Sequence, residues 1–114
     1  MKTDKKQEII DIALANPKGF TINKNTLKSI TEGYAIAVKE TQDSFDTDGL
    51  NKVLKIAEKS YIDAIGGWYN EKNQKYYFDA VMIVDDLGLA LRLGFDNKQI
   101  AIYNITDGRE IELK

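Results

Sequence analysis

The feature that most constrains the fold is the stretch over residues 62–85, whose pattern is that of an antiparallel hairpin. Its two halves, residues 62–69 and 76–84, are rich in aromatic and β-branched residues, which favour strands. Residues 70–75 between them include no apolar member, as is typical of a turn. The stretch therefore predicts strand, turn and strand, and the segments on either side each supply a helix and a strand.

The spacing of apolar residues predicts the other elements. Before the hairpin they are a helix over residues 3–16 with Thr3 as its cap, strands over 19–24 and 33–39, and a helix capped by Thr47 or Asp48 that ends near Ser60. After the hairpin they are a helix that begins at Asp85 and Asp86 and strands over 99–104 and 109–113. Asp107 and Gly108 mark the turn between the last two strands.

Two of these elements carry a further prediction about packing. Small residues alternate with large ones over residues 33–38, so we expect a helix to approach the face formed by Gly33, Ala35 and Ala37. In the helix after the hairpin, the buried stripe is predicted to be Leu87, Ala90 and Leu91, widened by Leu89 and Leu93, and Gly94 suits a left-handed stop.

From residue 33 to residue 104 the predicted order is strand, helix, strand, strand, helix, strand. This is the βαββαβ plan of the ferredoxin-like fold, an antiparallel sheet with two helices on one face. Right-handed crossovers place the strands at 33–39 and 76–84 side by side in the middle. Residues 1–114 are thus predicted to form a single α+β domain, extended by an N-terminal helix and strand and by a C-terminal edge strand. The alternative is a looser α+β roll in which the strand at 19–24 pairs first.

Composition excludes several classes of function. With 16 basic and 18 acidic residues the net charge is only −2, so charge alone indicates no direct contact with nucleic acid. The chain has no cysteine and no histidine, which excludes thiol catalysis, histidine-activated nucleophiles and metal sites built on these ligands. No signal peptide or membrane-spanning segment is found, so we expect a soluble cytoplasmic protein with no membrane contact. We also expect that the protein uses no cofactor.

The predicted topology brings two loops to one end of the sheet. The strands ending near Lys39 and Tyr69 run parallel, so residues 40–48 and the turn at 70–75 share that end. Their carboxylates are Glu40, Asp43, Asp46, Asp48 and Glu71. Oxygen ligands of this kind suit Mg²⁺ or Ca²⁺. Helix capping and a solvated loop also explain the presence of these carboxylates. A third interpretation is that they form a surface that imitates phosphate spacing and occupies a basic groove on a partner.

Several aromatic residues near these loops have two interpretations each. Phe45 is either an anchor for a partner or a staple folded over the second helix. Gly66 and Gly67 favour a bulge that turns Trp68 towards the core or an open sheet face. Trp68 and its aromatic neighbours would also suit base stacking, although no basic stripe flanks them.

Asp79 interrupts an apolar strand, on the same face as Tyr77, Val81 and Ile83. If it is buried, it must be paired or protonated, and it is then a candidate acid or base. The interpretation we favour from the sequence is that Asp79 lies on the open side of the sheet, where it is wet or paired with Lys39.

Several runs of this sequence resemble a group of short uncharacterised proteins encoded by phages, prophages and conjugative elements. The runs are Lys18-Gly19-Phe20-Thr21, residues 33–45, Ile65-Gly66-Gly67-Trp68, residues 75–80 and Gln99-Ile100-Ala101-Ile102. No catalytic residue is carried over from the resemblance. Small acidic proteins of mobile elements are often inhibitors of host defence, with anti-CRISPR proteins the best known class, so the resemblance implies a non-enzymatic protein that binds a host defence protein such as a CRISPR nuclease.

These observations lead to one functional expectation and two alternatives. The expected partner-binding residues are Glu40, Gln42, Asp43, Phe45 and Asp46, with Trp68 and Glu71 as neighbours. The first alternative is a small enzyme or ligand-binding domain that uses Mg²⁺ or a nucleotide at the same sheet end. The second is a structural domain that forms a homodimer through its open sheet face.

Overall fold

Three helices and six strands are described over residues 4–113 of this computed structural model. In chain order they are α1 (Lys5–Ala15), β1 (Phe20–Asn23), β2 (Tyr34–Ala37), α2 (Asp46–Ile56), β3 (Ala64–Asn70), β4 (Lys75–Val84), α3 (Leu87–Asp96), β5 (Ala101–Asn104) and β6 (Arg109–Glu112). A short 3-10 turn, Lys39–Thr41, separates β2 from α2. The structure is therefore α+β, as the sequence predicts.

Side-chain caps begin two of the helices. At α1, the Asp4 carboxylate accepts a hydrogen bond from the Lys6 backbone N–H at 3.0 Å. Thr3, the predicted cap, lies outside the described residues. At α3, the Asp86 carboxylate accepts a hydrogen bond from the Leu89 backbone N–H at 2.7 Å, so the predicted cap is confirmed.

The start of α2 differs from the prediction. Thr47 and Asp48 lie inside the helix, and the N-cap residue is Phe45, whose side chain makes no capping bond. Asp46 has a left-handed φ of 58°, and its carboxylate accepts a hydrogen bond from the Tyr76 backbone N–H at 3.2 Å. A carboxylate predicted to lie near the helix start is thus used to tie the helix to β4.

All six strands join one antiparallel sheet in the order β1-β3-β4-β2-β5-β6. The central hairpin is confirmed, because β3 and β4 pair without interruption from Ala64↔Val81 to Asn70↔Lys75. β2 lies beside β4 in the middle of the sheet, as expected from right-handed crossovers. The turn between β5 and β6 contains Gly108, which has the positive φ that such turns favour.

One face of the sheet is covered by the three described helices. The core on this side includes Ile9 of α1, Leu50 of α2 and Ala90 of α3, all completely removed from solvent. From the sheet it receives alternate residues of each strand, among them Ile36 and Ile65. We call this side the covered face.

The opposite side, the open face, has a smaller apolar cluster. Ala35, Ala64 and Val81 form it, with Ile30, Ile83 and Ile105 packed against them. The described helices contribute no member to this cluster. The two apolar sets therefore differ in size because only one of them has a helical layer above it.

The alternation in β2 was assigned to the wrong face. The large residues Tyr34 and Ile36 point to the helices, whereas Ala35 belongs to the open-face cluster. The prediction that a helix approaches the small residues is therefore wrong. Large side chains fill the space between sheet and helices, and the small ones leave space on the other side.

Helix α3 also packs differently from the prediction. Leu87 and Leu89 were expected in the buried stripe, yet they are 44% and 42% exposed. Gly94 is not a left-handed stop, because α3 continues to Asp96. A Cβ at Gly94 would lie 2.6 Å from Leu113 and 2.8 Å from Ile102, so this position is needed for the close approach of α3 to the sheet.

Candidate binding surface on the open face and its rim

The loop over residues 40–48 lies against the beginning of β4. Phe45 pairs with Tyr77 as an isolated antiparallel bridge, and the Phe78 backbone N–H donates to the Ser44 carbonyl at 2.9 Å. This loop and the β3–β4 turn therefore lie at the same end of the sheet, as the predicted topology requires. We call the seven predicted partner-binding residues the acidic rim: Glu40, Gln42, Asp43, Phe45, Asp46, Trp68 and Glu71.

A buried threonine holds this loop in place. The Thr41 hydroxyl donates to the Val38 carbonyl at 3.3 Å and accepts a hydrogen bond from the Ala80 backbone N–H at 3.1 Å. Thr41 is completely buried, so this bond joins the loop to β4 away from solvent. Sequence reasoning treated Thr41 as one polar loop residue among several and missed this role.

Three aromatic rings form a row at the same end of the sheet. Trp68 stacks on Tyr77 with ring centroids 5.4 Å apart, and Phe45 lies on the other side of Tyr77 at 5.7 Å. The Lys75 ammonium group is 3.9 Å from the centroid of the Phe45 ring. Phe45 is thus packed against β4, with part of its surface still accessible. We call Trp68, Tyr77 and Phe45 the aromatic row.

The glycine pair before Trp68 does not form a bulge. Gly66 and Gly67 pair with Asp79 and Phe78 in continuous register, so that prediction is wrong. A Cβ at Gly67 would lie 2.6 Å from the Phe20 ring, and therefore glycine is needed for the ring to pack there. The regular alternation places Trp68 on the open face, where it is 44% exposed.

The charged members of the acidic rim are all exposed. Among them, Asp46 is tied to the Tyr76 backbone as described above, and Asp43 has a left-handed φ of 59°. Within residues 4–113, no group of three or more acidic side chains is arranged to hold a metal ion. The rim therefore has no ligand cluster, in the part of the chain that is described, for the magnesium alternative.

The open face contains a groove of about 750 Å³, which we call the open-face groove. Small or short side chains form its floor, and Trp68 and Tyr103 stand at its sides. The floor residues are Ala35, Ala37, Gly66, Asp79, Val81 and Ala101. A volume of this size is in the range of natural ligand sites. The groove exists because small residues of β2, β3 and β5, namely Ala35, Ala37, Gly66 and Ala101, lie side by side on this face.

Asp79 lies in the floor of the open-face groove, beside Asp43. Burial, together with the negative charge of Asp43, raises the pKa of the Asp79 carboxyl from 3.8 to about 6. No group in residues 4–113 makes a hydrogen bond to this carboxyl. Asp79 is on the open side as predicted, and it is partly buried in the groove floor rather than fully exposed. No pairing with Lys39 is present over residues 4–113, and the charge that acts on Asp79 is that of an acid.

Tyr77 and Asp79 were not among the predicted site residues. Both follow from the register of the hairpin, which sets Tyr77 opposite Trp68 and Asp79 opposite Gly66 on one face. Sequence reasoning missed them because it did not show where the loop before α2 lies, and this loop brings Phe45 and Asp43 close to Tyr77 and Asp79. Sequence spacing alone gave the correct end of the sheet but not these contacts.

Comparisons with known proteins give no relative for this chain. No protein-family model matches it, no curated protein matches it, and no solved structure matches it. Over residues 4–113, none of the helices has the length and the apolar character required to cross a membrane. A function is therefore proposed from the acidic rim and the open-face groove themselves.

Proposed function

We propose that this chain is a small binding protein of a mobile genetic element, which inhibits a host defence component such as a CRISPR nuclease by occupying its surface. In this proposal the acidic rim is the contact surface and the chain is not an enzyme. The resemblance to proteins of phages and conjugative elements supports the choice of partner. The observation that carries the proposal is the position of Phe45 on Tyr77, in a loop whose carboxylates are exposed.

The chemistry of the acidic rim suits a basic partner surface. Glu40, Asp43 and Glu71 offer negative charges in water, which steer association with a positive surface and favour the correct orientation. Aromatic side chains at the centre of an interface supply much of its binding energy. Phe45 and Trp68 combine accessible surface with a fixed position, because both pack on Tyr77.

We further propose that β2, α2, β3, β4, α3 and β5 form a ferredoxin-like unit, with α1, β1 and β6 added to it. The strand order β3-β4-β2-β5 within the sheet supports this assignment. The two helices of this unit pack on the same face. In this arrangement the loop after β2 and the turn after β3 lie at the same end, which is where the acidic rim lies.

A plaque assay tests the proposed function. The chain is expressed in a host whose CRISPR immunity targets a phage, and the efficiency of plaquing is compared with and without the chain. We expect the chain to restore plaquing, and the double variant Glu40→Lys/Glu71→Lys to lose this effect because it reverses two rim charges. Glu58→Lys is the matched control, since Glu58 is an exposed carboxylate beyond the far end of α2.

A nuclease assay with purified components removes effects on expression. The purified chain is added to the defence nuclease loaded with its guide, and cleavage of target DNA is measured. Inhibition that is lost in the double variant and retained in Glu58→Lys supports the proposal. If the wild-type chain protects neither the phage nor the target DNA against any nuclease tested, the proposal of a defence inhibitor is wrong.

A further inference from the structure

We propose that the open-face groove receives an arginine side chain of the protein partner, with the guanidinium group paired to Asp79 and its plane against Trp68. This inference rests on the proposed function, because it requires a protein partner at the acidic rim. It adds the chemistry by which that partner is held.

The groove has the shape for a long side chain. Its floor is low because Gly66, Ala37 and Ala101 add little volume on this face, whereas Trp68 and Tyr103 stand at its sides. The volume of about 750 Å³ exceeds that of a single side chain, so a residue can enter together with part of its backbone. The groove therefore has room for an extended segment of a partner.

The floor offers a carboxylate that lacks a partner. Asp79 receives no hydrogen bond from residues 4–113, and the charge that raises its pKa is that of another acid, Asp43. The remaining charged groups of the groove are Glu110 on β6 and Lys18 before β1. A shielded carboxylate is unfavourable when it is charged and unpaired, so an incoming cation gains more here than at an exposed acid. A neutral or anionic ligand would leave the Asp79 carboxylate without an opposite charge.

The Trp68 ring favours arginine over lysine, because it lines the groove and lies on the same face as Asp79. Tyr77 and Asp79 are two residues apart on one strand and face the same side, and Trp68 lies opposite Tyr77. A planar guanidinium group can stack on an aromatic ring while its N–H groups donate to a carboxylate in pairs. An ammonium group has no plane to stack and is more strongly hydrated.

Continuity between the groove and the acidic rim indicates a partner side chain rather than a free amine. Trp68 belongs to both surfaces, and Asp43 of the rim lies beside Asp79 of the groove. A partner seated on Phe45 and the rim carboxylates therefore has the groove entrance directly beside its contact surface. Both surfaces have acidic groups, so one basic segment of the partner complements both.

Peptide titration of the full chain tests the inference. The probe is the blocked tripeptide acetyl-Gly-Arg-Gly-amide, and binding is followed by backbone amide shifts together with the fluorescence of Trp68, the single tryptophan of the chain. We expect a dissociation constant of about 1–10 mM, as for a single anchored side chain, with the shifts centred on Gly66 and Trp68. Binding should strengthen as the pH rises through the pKa of Asp79, because the ionised form is the one that pairs with the cation.

Two peptide controls and two protein variants decide the outcome. The citrulline peptide has the same shape without the charge, and the lysine peptide has the charge without the plane; each should bind at least about tenfold more weakly. Asp79→Asn should also lose about tenfold, whereas Glu112→Gln, on the edge strand outside the groove, should bind as the wild type does. Equal binding of either control peptide, binding retained in Asp79→Asn, or no binding of the arginine peptide overturns the inference.

The plaque assay separates this inference from the proposed function. If Asp79→Asn inhibits the defence nuclease as well as the wild type does, the partner does not use the groove and the inference is wrong, while the proposed function stands. If the arginine peptide binds as expected but the chain never protects a phage, the groove chemistry stands and the choice of a defence protein as partner is wrong.

Discussion

The two faces of one sheet have opposite chemistry, although the same strands build both. On the covered face, β2 and β4 present Ile36, Phe78 and Met82, which fill the space below the helices. On the open face the same strands present Ala37 and Asp79, and a groove remains. The alternation within a strand therefore serves two purposes, a packed core on one side and an accessible site on the other.

The largest expected difference between the faces is in sensitivity to truncation. Ile36→Ala removes a completely buried side chain of the covered face, and we expect a loss of about 2–5 kcal/mol in the free energy of unfolding, because the packed surroundings cannot fill the cavity. Ile83→Ala, at a partly buried site on the open face, should cost about 1 kcal/mol. Urea denaturation measures both, and equal losses would contradict the comparison.

The next largest effect comes from Asp79, and its sign is opposite. Burial raises the pKa of this carboxyl to about 6, so in the folded state it holds its proton over a pH range in which the unfolded chain has already released it. Stability should therefore fall as the pH rises from about 4 to about 6 and stay lower above that range. Asp79→Asn should remove this dependence and increase the free energy of unfolding at about pH 7.5 by about 1–3 kcal/mol.

Denaturation of both proteins across this pH range measures the effect. Glu112→Gln serves as the control, since it removes an exposed carboxylate on β6 and leaves Asp79 in place. An Asp79→Asn variant that is less stable than the wild type at neutral pH would show that the Asp79 carboxylate contributes to the fold. Asp79 on the open face would then stabilise the fold, as the buried residues of the covered face do.

The smallest effect compares two adjacent glycines that face opposite sides. Gly67→Ala should cost about 1–2 kcal/mol, because the added Cβ would lie 2.6 Å from the Phe20 ring and the core must shift. Gly66→Ala should be neutral within about 1 kcal/mol, since its Cβ would lie 3.2 Å from the Val81 side chain and at ordinary contact distance, 3.5 Å, from the Phe20 carbonyl. Thermal unfolding of both variants checks this order, and the reverse order would contradict the assignment of the faces.

Much of the fold could be predicted because its signals are local. The hairpin over residues 62–85, the cap at Asp86 and the turn at Gly108 each depend on a few neighbouring residues, and the structure has all three. The alternation in β2 was also detected correctly. Its direction was not, because periodicity shows that two faces differ but not which of them a helix covers.

The candidate site was only partly predictable because it depends on segments that are far apart in sequence. The end of the sheet shared by residues 40–48 and 70–75 follows from the topology, and Phe45 was identified as the aromatic residue of that loop. The raised pKa of Asp79 depends on its burial in the groove floor and on the charge of Asp43, which lies in a loop far from it in sequence. No local pattern near residue 79 predicts either of them.

The pKa of Asp79 decides whether the open face contains a partly buried carboxylate suited to a cation. The carboxyl ¹³C shift of Asp79 is followed from about pH 3 to about pH 9, alone and with the arginine peptide. We expect a pKa of about 6 without peptide and a lower value when the guanidinium group is bound. A pKa near the ordinary 3.8 without peptide, or one that the bound peptide leaves unchanged, would contradict this interpretation.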